Sequence, residues 1–253
     1  MREPVPHPWS TVLPIAGALS VILTWQFVLP LTGVPSYIVP TPVEIARIFA
    51  RESALLWSNL WPTVYEALMG FLLGNSVAVL LAVIFVYNRY IQAAYFPVIL
   101  FLNTIPILAL APIIILIFGL GVLPKIIIAA VICFFPTLVN MIRGLESITQ
   151  SEIELFRVLS ASKLETLWKL RLPRAMPFLF ASLRISSATA VIGAVVGEWI
   201  GSDKGLGAMI IQATFNYQSG RLYAAITLCS CLAIALFVLV VAIEKVVLRY
   251  EHR

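Results

Sequence analysis

The polar residues that could bind a partner or do chemistry concentrate in one segment of this chain, residues 143–173. Within it, Ser151 and Glu154 have the spacing of a capping box, in which both residues satisfy free amides in the first turn of a helix. Ser162 and Glu165 repeat that spacing eleven residues later. The pattern predicts two short helices joined by a turn, an arrangement that could present a surface to a soluble protein.

An apolar face is predicted on the first of these helices. Leu155, Phe156 and Leu159 fall on one side of it. Spacing alone leaves open a solvated helical hairpin without a partner. Exposed apolar side chains favour a docking surface, because an apolar face needs cover.

The turn and the end of the second helix follow from the same segment. The turn is predicted at Ser160 and Ala161, just before the second capping box. The second helix is predicted to end at Leu172 and Pro173, because proline stops or bends a helix.

Motifs for catalysis by this polypeptide itself are absent. It contains no Walker A phosphate loop, no H-E-x-x-H zinc motif and no G-x-S-x-G nucleophile elbow. The glycine-rich stretch 201–207 lacks the Walker spacing. Its three cysteines lie in apolar runs without a C-x-x-C pattern, which indicates packing residues rather than a disulfide or a metal site. We therefore expect no cofactor, no metal and no enzymatic activity.

The composition is that of an integral membrane protein. Of 253 residues, 61% are hydrophobic and only 11% are charged, against roughly 25% charged in soluble domains. Strands that alternate apolar and polar residues are absent, so helices rather than a barrel are expected to satisfy the backbone in lipid. The net charge of +5 comes from basic residues spread along the chain, which argues against nucleic-acid binding.

The apolar runs predict an all-α membrane protein with six transmembrane helices. These are placed at 11–32, 61–87, 92–118, 123–143, 176–198 and 223–246. Pro106 and Pro112 predict a kink or break in the third. The first is interpreted as a retained span, because Glu3 and three early prolines make a poor signal peptide.

Basic residues predict the orientation of these spans. With the N-terminus inside, eleven Lys and Arg residues fall on inner segments and five on outer ones, which supports cytosolic termini. The whole chain, 1–253, is then one transmembrane domain, and 144–175 is a cytosolic loop within it. An amphipathic helix that starts at Thr41, with Pro42 in its first turn, is predicted to lie flat at the outer interface.

Polar residues inside the spans are candidates for lining a solute pathway, because such residues are costly in lipid and mark function. The candidates are Asn75, Asn103, Thr104, Asn140, Ser186 and Glu198, with Glu66 as a further one. Interhelical hydrogen bonding is the alternative for the amides. An outer-surface position is the alternative for Glu198.

Glycines recur at intervals of four on the fifth helix, at Gly193, Gly197 and Gly201. A face of small residues lets another helix approach closely. We therefore expect close helix packing there, at an interface with a second copy of the chain beside the pathway.

The polar segment also resembles the cytosolic motif of ABC importer permeases, written E-A-A, three residues, G, nine residues, I-x-L-P. Glu154 takes the first acidic position and Leu172-Pro173 takes the end, with the spacing intact. Leu155 and Phe156 stand where alanines are usual, and Ser160 stands where glycine is usual.

The resemblance extends over nearly the whole chain. Stretches 38–42, 102–121 and 193–207 look like the outer loop, the third span and the end of the fifth span of the nitrate/sulfonate/taurine branch. Within that branch, the sequence from Gly197 to Asp203 looks closer to transporters of pyrimidine vitamin precursors or riboflavin. The resemblance implies a type I importer permease fold in the bacterial inner membrane, with two permeases paired around a central pathway.

The resemblance further implies partners. Separate ABC ATPase subunits would bind ATP, and an extracytoplasmic binding protein would deliver a small solute. The ATPase-coupling residues would be Ser151, Glu154, Leu155, Phe156, Arg157, Leu159, Ser160, Ala161, Ser162, Leu172 and Pro173. The alternative is a stand-alone secondary transporter or channel. That class should show inverted repeats or paired intramembrane carboxylates, and neither is visible in the sequence.

Overall fold

The computed structural model describes residues 9–251, and every regular element in that range is a helix. Helix α1, Trp9–Leu23, runs on through a π-helical turn, Thr24–Val28, and Leu29–Leu31. The others are α2 Pro42–Arg51, α3 Ser53–Tyr87, α4 Arg89–Thr104, α5 Ile107–Phe118, α6 Val122–Glu146, α7 Gln150–Val158, α8 Lys163–Thr166, α9 Leu172–Trp199, α10 Leu206–Phe215 and α11 Ser219–Glu251. A second π-helical turn, Leu167–Arg171, joins α8 to α9.

Within residues 9–251, five helices are long and apolar enough to cross a membrane, and a sixth span arises if α4 and α5 count as one. Those two helices meet at a bend of 104°. Ile105, which precedes Pro106, has extended backbone angles, as the steric restriction on a residue before proline requires. The predicted break in the third span is therefore confirmed, and the six-span prediction fits when the bent pair is one span.

The predicted outer helix is also present. The Thr41 hydroxyl accepts a hydrogen bond from the Glu44 amide, the Glu44 carboxylate accepts one from the Thr41 amide, and Pro42 occupies the first turn. Helix α2 does not simply lie free, because Ile45 packs into a buried cluster with Leu206. It is thus attached to the bundle at the end remote from segment 144–175.

The centre of the bundle is the long helix α6, against which α3 and α9 both pack. The residues buried at these contacts are mostly small, among them Ala67, Ala78, Ala129 and Ala190. Small residues let helix backbones approach, and in lipid such packing replaces the hydrophobic effect as the source of association.

The glycine face of α9 meets α6 of the same chain. A Cβ atom on Gly193 would lie 2.5 Å from the Ala129 Cα, and one on Gly197 would lie 3.0 Å from the Lys125 Cα. Gly201 lies in the turn after α9. Close packing is confirmed at Gly193 and Gly197, but the expectation that this face meets a second copy is wrong. Glycine spacing predicts a close approach, and it does not say which helix approaches.

Gly193→Val should therefore destabilise the folded chain itself rather than only its assembly. Overpacking a core costs about 1–3 kcal/mol, and here the clash is with backbone, which cannot swing aside. Thermal unfolding in detergent should show the loss. Gly17→Val is the matched control, because nothing lies within 4 Å of that position. Normal unfolding of Gly193→Val, combined with a loss of dimer, would contradict the assignment.

Candidate functional site

The segment 144–175, called the polar loop from here on, begins with a capped helix. Helix α7 starts at Gln150, and its capping box is made by Thr149 and Glu152. The predicted box at Ser151 and Glu154 is therefore wrong by two residues. Thr149 and Glu152 have the same spacing, so the local pattern fits both frames. Ser151 and Glu154 are exposed within α7, where Glu154 accepts a hydrogen bond from Gln150 over 3.3 Å.

Glu152 ties the two ends of the polar loop together. It accepts hydrogen bonds from the Thr149 amide and hydroxyl, and its carboxylate pairs with Arg174 near the start of α9. The pKa of Glu152 is lowered, mainly by the hydrogen bond from the Thr149 backbone amide and next by the hydrogen bond from the Arg174 side chain. Its charge is therefore retained at neutral pH, where it stabilises the amino end of α7.

The turn and the second cap are as predicted. Ser160 has a φ of 55°, in the left-handed region that favours glycine at the end of a helix. The Ala161 amide closes the turn on the Phe156 carbonyl at 3.0 Å. Ser162 and Glu165 form the second capping box. Serine in place of the motif's glycine thus adopts the conformation that glycine would favour.

The predicted helix end at Leu172 and Pro173 is wrong. Helices α8 and α9 form one continuous run from Lys163 to Trp199, 37 residues long. The π-helical turn before Pro173 widens the helix and changes its hydrogen-bond pattern, as the bond from the Leu172 amide to the Leu167 carbonyl shows. Such a turn accommodates a proline without a break. The polar loop is therefore attached to a membrane span without a hinge at the proline.

Exposed apolar side chains mark the surface of the polar loop. Leu155 and Leu159 are exposed, as expected, whereas Phe156 is half-buried. Three residues outside the predicted set are also exposed. The surface, named the docking face, comprises Leu155, Val158, Leu159, Leu164 and Trp168. Arg157 is exposed and Ala161 half-buried beside it. Leu164 and Trp168 lie in the second predicted helix, for which the sequence pattern indicated no apolar face.

A buried charge network lies at the opposite end of the spans. Lys125, at the start of α6, donates to Glu66 Oε1 and to Ser202 Oγ, each over 2.8 Å. Lys125 is 7% exposed and Glu66 is 1% exposed. Lys125 is one of the five basic residues that the charge count assigned to outer segments. The structure instead places it in the protein interior, where a charge requires a partner.

Glu198 completes this network and does not lie at the surface. It is 1% exposed, accepts a hydrogen bond from the Thr63 hydroxyl over 2.6 Å, and accepts one from the Gly207 amide over 2.6 Å. The Thr63 hydroxyl in turn accepts a hydrogen bond from the Leu206 amide over 2.8 Å. Glu198 thus holds the loop between α9 and α10 against α3.

The network also supplies a feature that the sequence did not reveal. Glu66 and Glu198 are 132 positions apart in the sequence. In the folded chain they are neighbours inside the protein. Paired intramembrane carboxylates are expected of a secondary transporter, and no such pair is visible in the sequence. Only the packing of α3 against α9 brings the pair together, and the ammonium of Lys125 accompanies it.

The remaining pathway candidates fall in separate places. Asn75 and Ser186 are both buried and both contact the Thr137 hydroxyl, at 2.5 and 3.3 Å. Asn140 donates to its own helix at the Pro136 carbonyl. Thr104 is exposed and donates to the Phe101 carbonyl. Asn103 lines an otherwise mostly apolar cavity of about 450 Å³ between α3, α4, α5 and α6.

Known proteins are similar to this chain in sequence and in fold. Residues 70–249 match the family described as "Binding-protein-dependent transport system inner membrane component". A probable ABC transporter permease of Haemophilus influenzae is 35% identical, over 88% of this chain and 90% of that protein. The riboflavin transport system permease of Chloroflexus aurantiacus is 34% identical, over 94% and 90%. Permeases named for aliphatic sulfonates and taurine also match.

The fold agrees with a solved importer. A chain of the MetNI methionine ABC transporter, in inward-facing conformations, superimposes with a TM-score of 0.63 at 21% identity, over 79% of this chain and 98% of that chain. The type I permease fold, the nitrate/sulfonate/taurine branch and the riboflavin/pyrimidine likeness are thereby confirmed. This chain belongs to the binding-protein-dependent transport system inner membrane components, and it is a multi-pass permease of an ABC importer.

Proposed function

We propose that this chain forms the solute pathway of an ATP-driven importer and that its polar loop docks a separate ATPase, which binds and hydrolyses the ATP. The observation that carries this proposal is the docking face. Its large apolar side chains are exposed on two capped helices, among charged residues. A monomer gains nothing from exposing them there, whereas a partner could bury them.

The coupling mechanism rests on the continuous helix of 37 residues from Lys163 to Trp199. One end carries Leu164 and Trp168 of the docking face, and the other carries Glu198. When ATP closes the ATPase pair, the polar loop is displaced with it. A helix without a hinge transmits that displacement to the buried charge network, so the spans rock between inward- and outward-facing arrangements.

The family supports a proposal for the solute and for the remaining partners. Its members depend on a binding protein, so we infer that an extracytoplasmic binding protein delivers the solute. Relatives are named for riboflavin, formylaminopyrimidine, sulfonate and taurine transport. We propose a small solute of these kinds and two identical permease copies around the pathway. Asn75, Asn103, Thr104, Asn140, Ser186 and Glu198 remain candidates for its lining.

Purification in mild detergent tests the role of the chain. Co-expressed with its ATPase, the permease should bring that ATPase down in equal amount. Reconstituted vesicles should then take up solute only with ATP and binding protein present. Solute uptake by the permease alone, driven by an ion gradient, would instead identify a secondary transporter.

The proposed orientation places the polar loop and both termini in the cytosol. In a background without native cysteines, Ser160→Cys should react with an impermeant thiol reagent only from the cytosolic side. Asp203→Cys, exposed in the loop after α9, should react only from outside. Labelling of Ser160→Cys in sealed, right-side-out vesicles would contradict this topology.

A further inference from the structure

We propose that a cavity beside the polar loop binds the phosphodiester headgroup of an anionic phospholipid. The cavity has a volume of about 670 Å³ and lies between the start of α4, the end of α6 and the polar loop. Its polar side carries Arg89, Gln92 and Arg171 with Glu146, and its apolar side includes Phe96 and Pro97. Basic pockets between membrane helices at the cytoplasmic side are a recurring form of lipid headgroup site.

Both arginines are available to an anion. Among residues 12–248, neither Arg89 nor Arg171 forms an ion pair with an acid. Neutral groups hold Arg171 in place, since it donates to the Leu145 carbonyl over 2.7 Å and lies 5.7 Å from the Tyr87 ring centre. A guanidinium fixed by neutral contacts keeps its charge uncompensated. Arginine also matches the geometry of phosphate oxygens better than lysine does.

The charge of the cavity selects among phosphates. Two arginines and Glu146 give the walls a net charge of about +1 at neutral pH. A phosphodiester carries a single negative charge and balances it. A phosphate monoester carries a charge of about −1.5 to −2 at neutral pH, so its additional charge would meet the Glu146 carboxylate without a partner.

The shape of the cavity favours a lipid over a soluble anion. Val86, Phe96 and Pro97 give one side an apolar wall where α4 enters the bundle. That wall suits the first carbons of an acyl chain, while the arginines face the headgroup. Because Ile148 and Ile153 of the polar loop also line the cavity, a bound lipid would contact the element that docks the ATPase. Membrane composition could thereby influence coupling.

Native mass spectrometry of the full chain, titrated with phosphatidylglycerol, phosphatidylcholine or inorganic phosphate, tests this site. Wild type should bind phosphatidylglycerol about tenfold more tightly than phosphatidylcholine. Arg89→Gln with Arg171→Gln should remove that preference. The matched control is Arg143→Gln with Lys169→Gln, which removes two exposed cations of the same end that do not line the cavity. The control should retain the preference.

Arg171 also bonds to the backbone, so the double variant could fail to fold. Arg89→Gln alone then decides, because Arg89 is exposed and its side chain makes no hydrogen bond in the range 12–248. It should weaken phosphatidylglycerol binding about tenfold. Unchanged binding by Arg89→Gln would overturn the proposal. So would displacement of the lipid by millimolar inorganic phosphate, or its expulsion by added ATPase, which would make the cavity part of the docking surface. None of these outcomes bears on the importer function itself.

Discussion

Leu159→Glu should reduce the ATPase that co-purifies with this permease by tenfold or more and abolish ATP-driven uptake, while the chain itself still folds. Leu159 is 67% exposed, so its replacement removes little packing from the folded monomer. In a docked complex, burying a leucine contributes about 1.5–3 kcal/mol. An unpaired carboxylate buried there would cost several kcal/mol more.

The matched control for that experiment is Val43→Glu. Val43 is also an exposed apolar residue on a short capped helix, but it lies on α2, at the other end of the bundle. It should leave the bound ATPase unchanged. Both variants are compared at equal expression by ATPase content after detergent purification and by uptake into vesicles. Full ATPase binding by Leu159→Glu would show that the docking face lies elsewhere.

Lys125→Met should destabilise the permease by about 3–5 kcal/mol, because it leaves an uncompensated carboxylate in the interior. Lys125 bonds Glu66 at 2.8 Å, and a second carboxylate, Glu198, is a neighbour of Glu66. Removing the single cation leaves two acids together in a poorly solvated site. Thermal unfolding in detergent measures the loss.

A double variant separates lost charge balance from lost packing. Lys125→Met with Glu66→Gln removes the ion pair as a whole, and replacing a buried pair by neutral groups is often close to neutral. It should recover most of the stability. Lys204→Met, at an exposed lysine in the neighbouring loop, should change nothing. If the double variant were no more stable than Lys125→Met, the lysine would act through packing rather than charge.

Local sequence patterns predicted some features of the polar loop correctly and others wrongly. The second capping box at Ser162 and Glu165 and the turn at Ser160 were predictable, since each depends on residues within a few positions. The first box was placed two residues late because Thr149 and Glu152 offer the same spacing. The helix end at Pro173 was wrong because a π-helical turn, which has no clear sequence signal, absorbs the proline.

Composition and motif spacing determined the class of this protein. The apolar runs are longer than any soluble core needs. In lipid, helices satisfy the hydrogen bonds of their backbone N–H and C=O groups internally. The motif from Glu154 to Pro173 carried the resemblance to importer permeases, and the family match over residues 70–249 confirms that resemblance. These conclusions need only one-dimensional information, because span length, charge bias and motif spacing are properties of the chain itself.

The tertiary structure decided which polar residues meet. The sequence offered Glu66, Lys125 and Glu198 as separate residues, with an outer-surface position as the alternative for Glu198. Packing of α3 and α9 against α6 buries all three in one network. It also turns the glycine face of Gly193 and Gly197 inward. Helical spacing specifies which side of a helix a residue lies on, but only the packed bundle determines what that side faces.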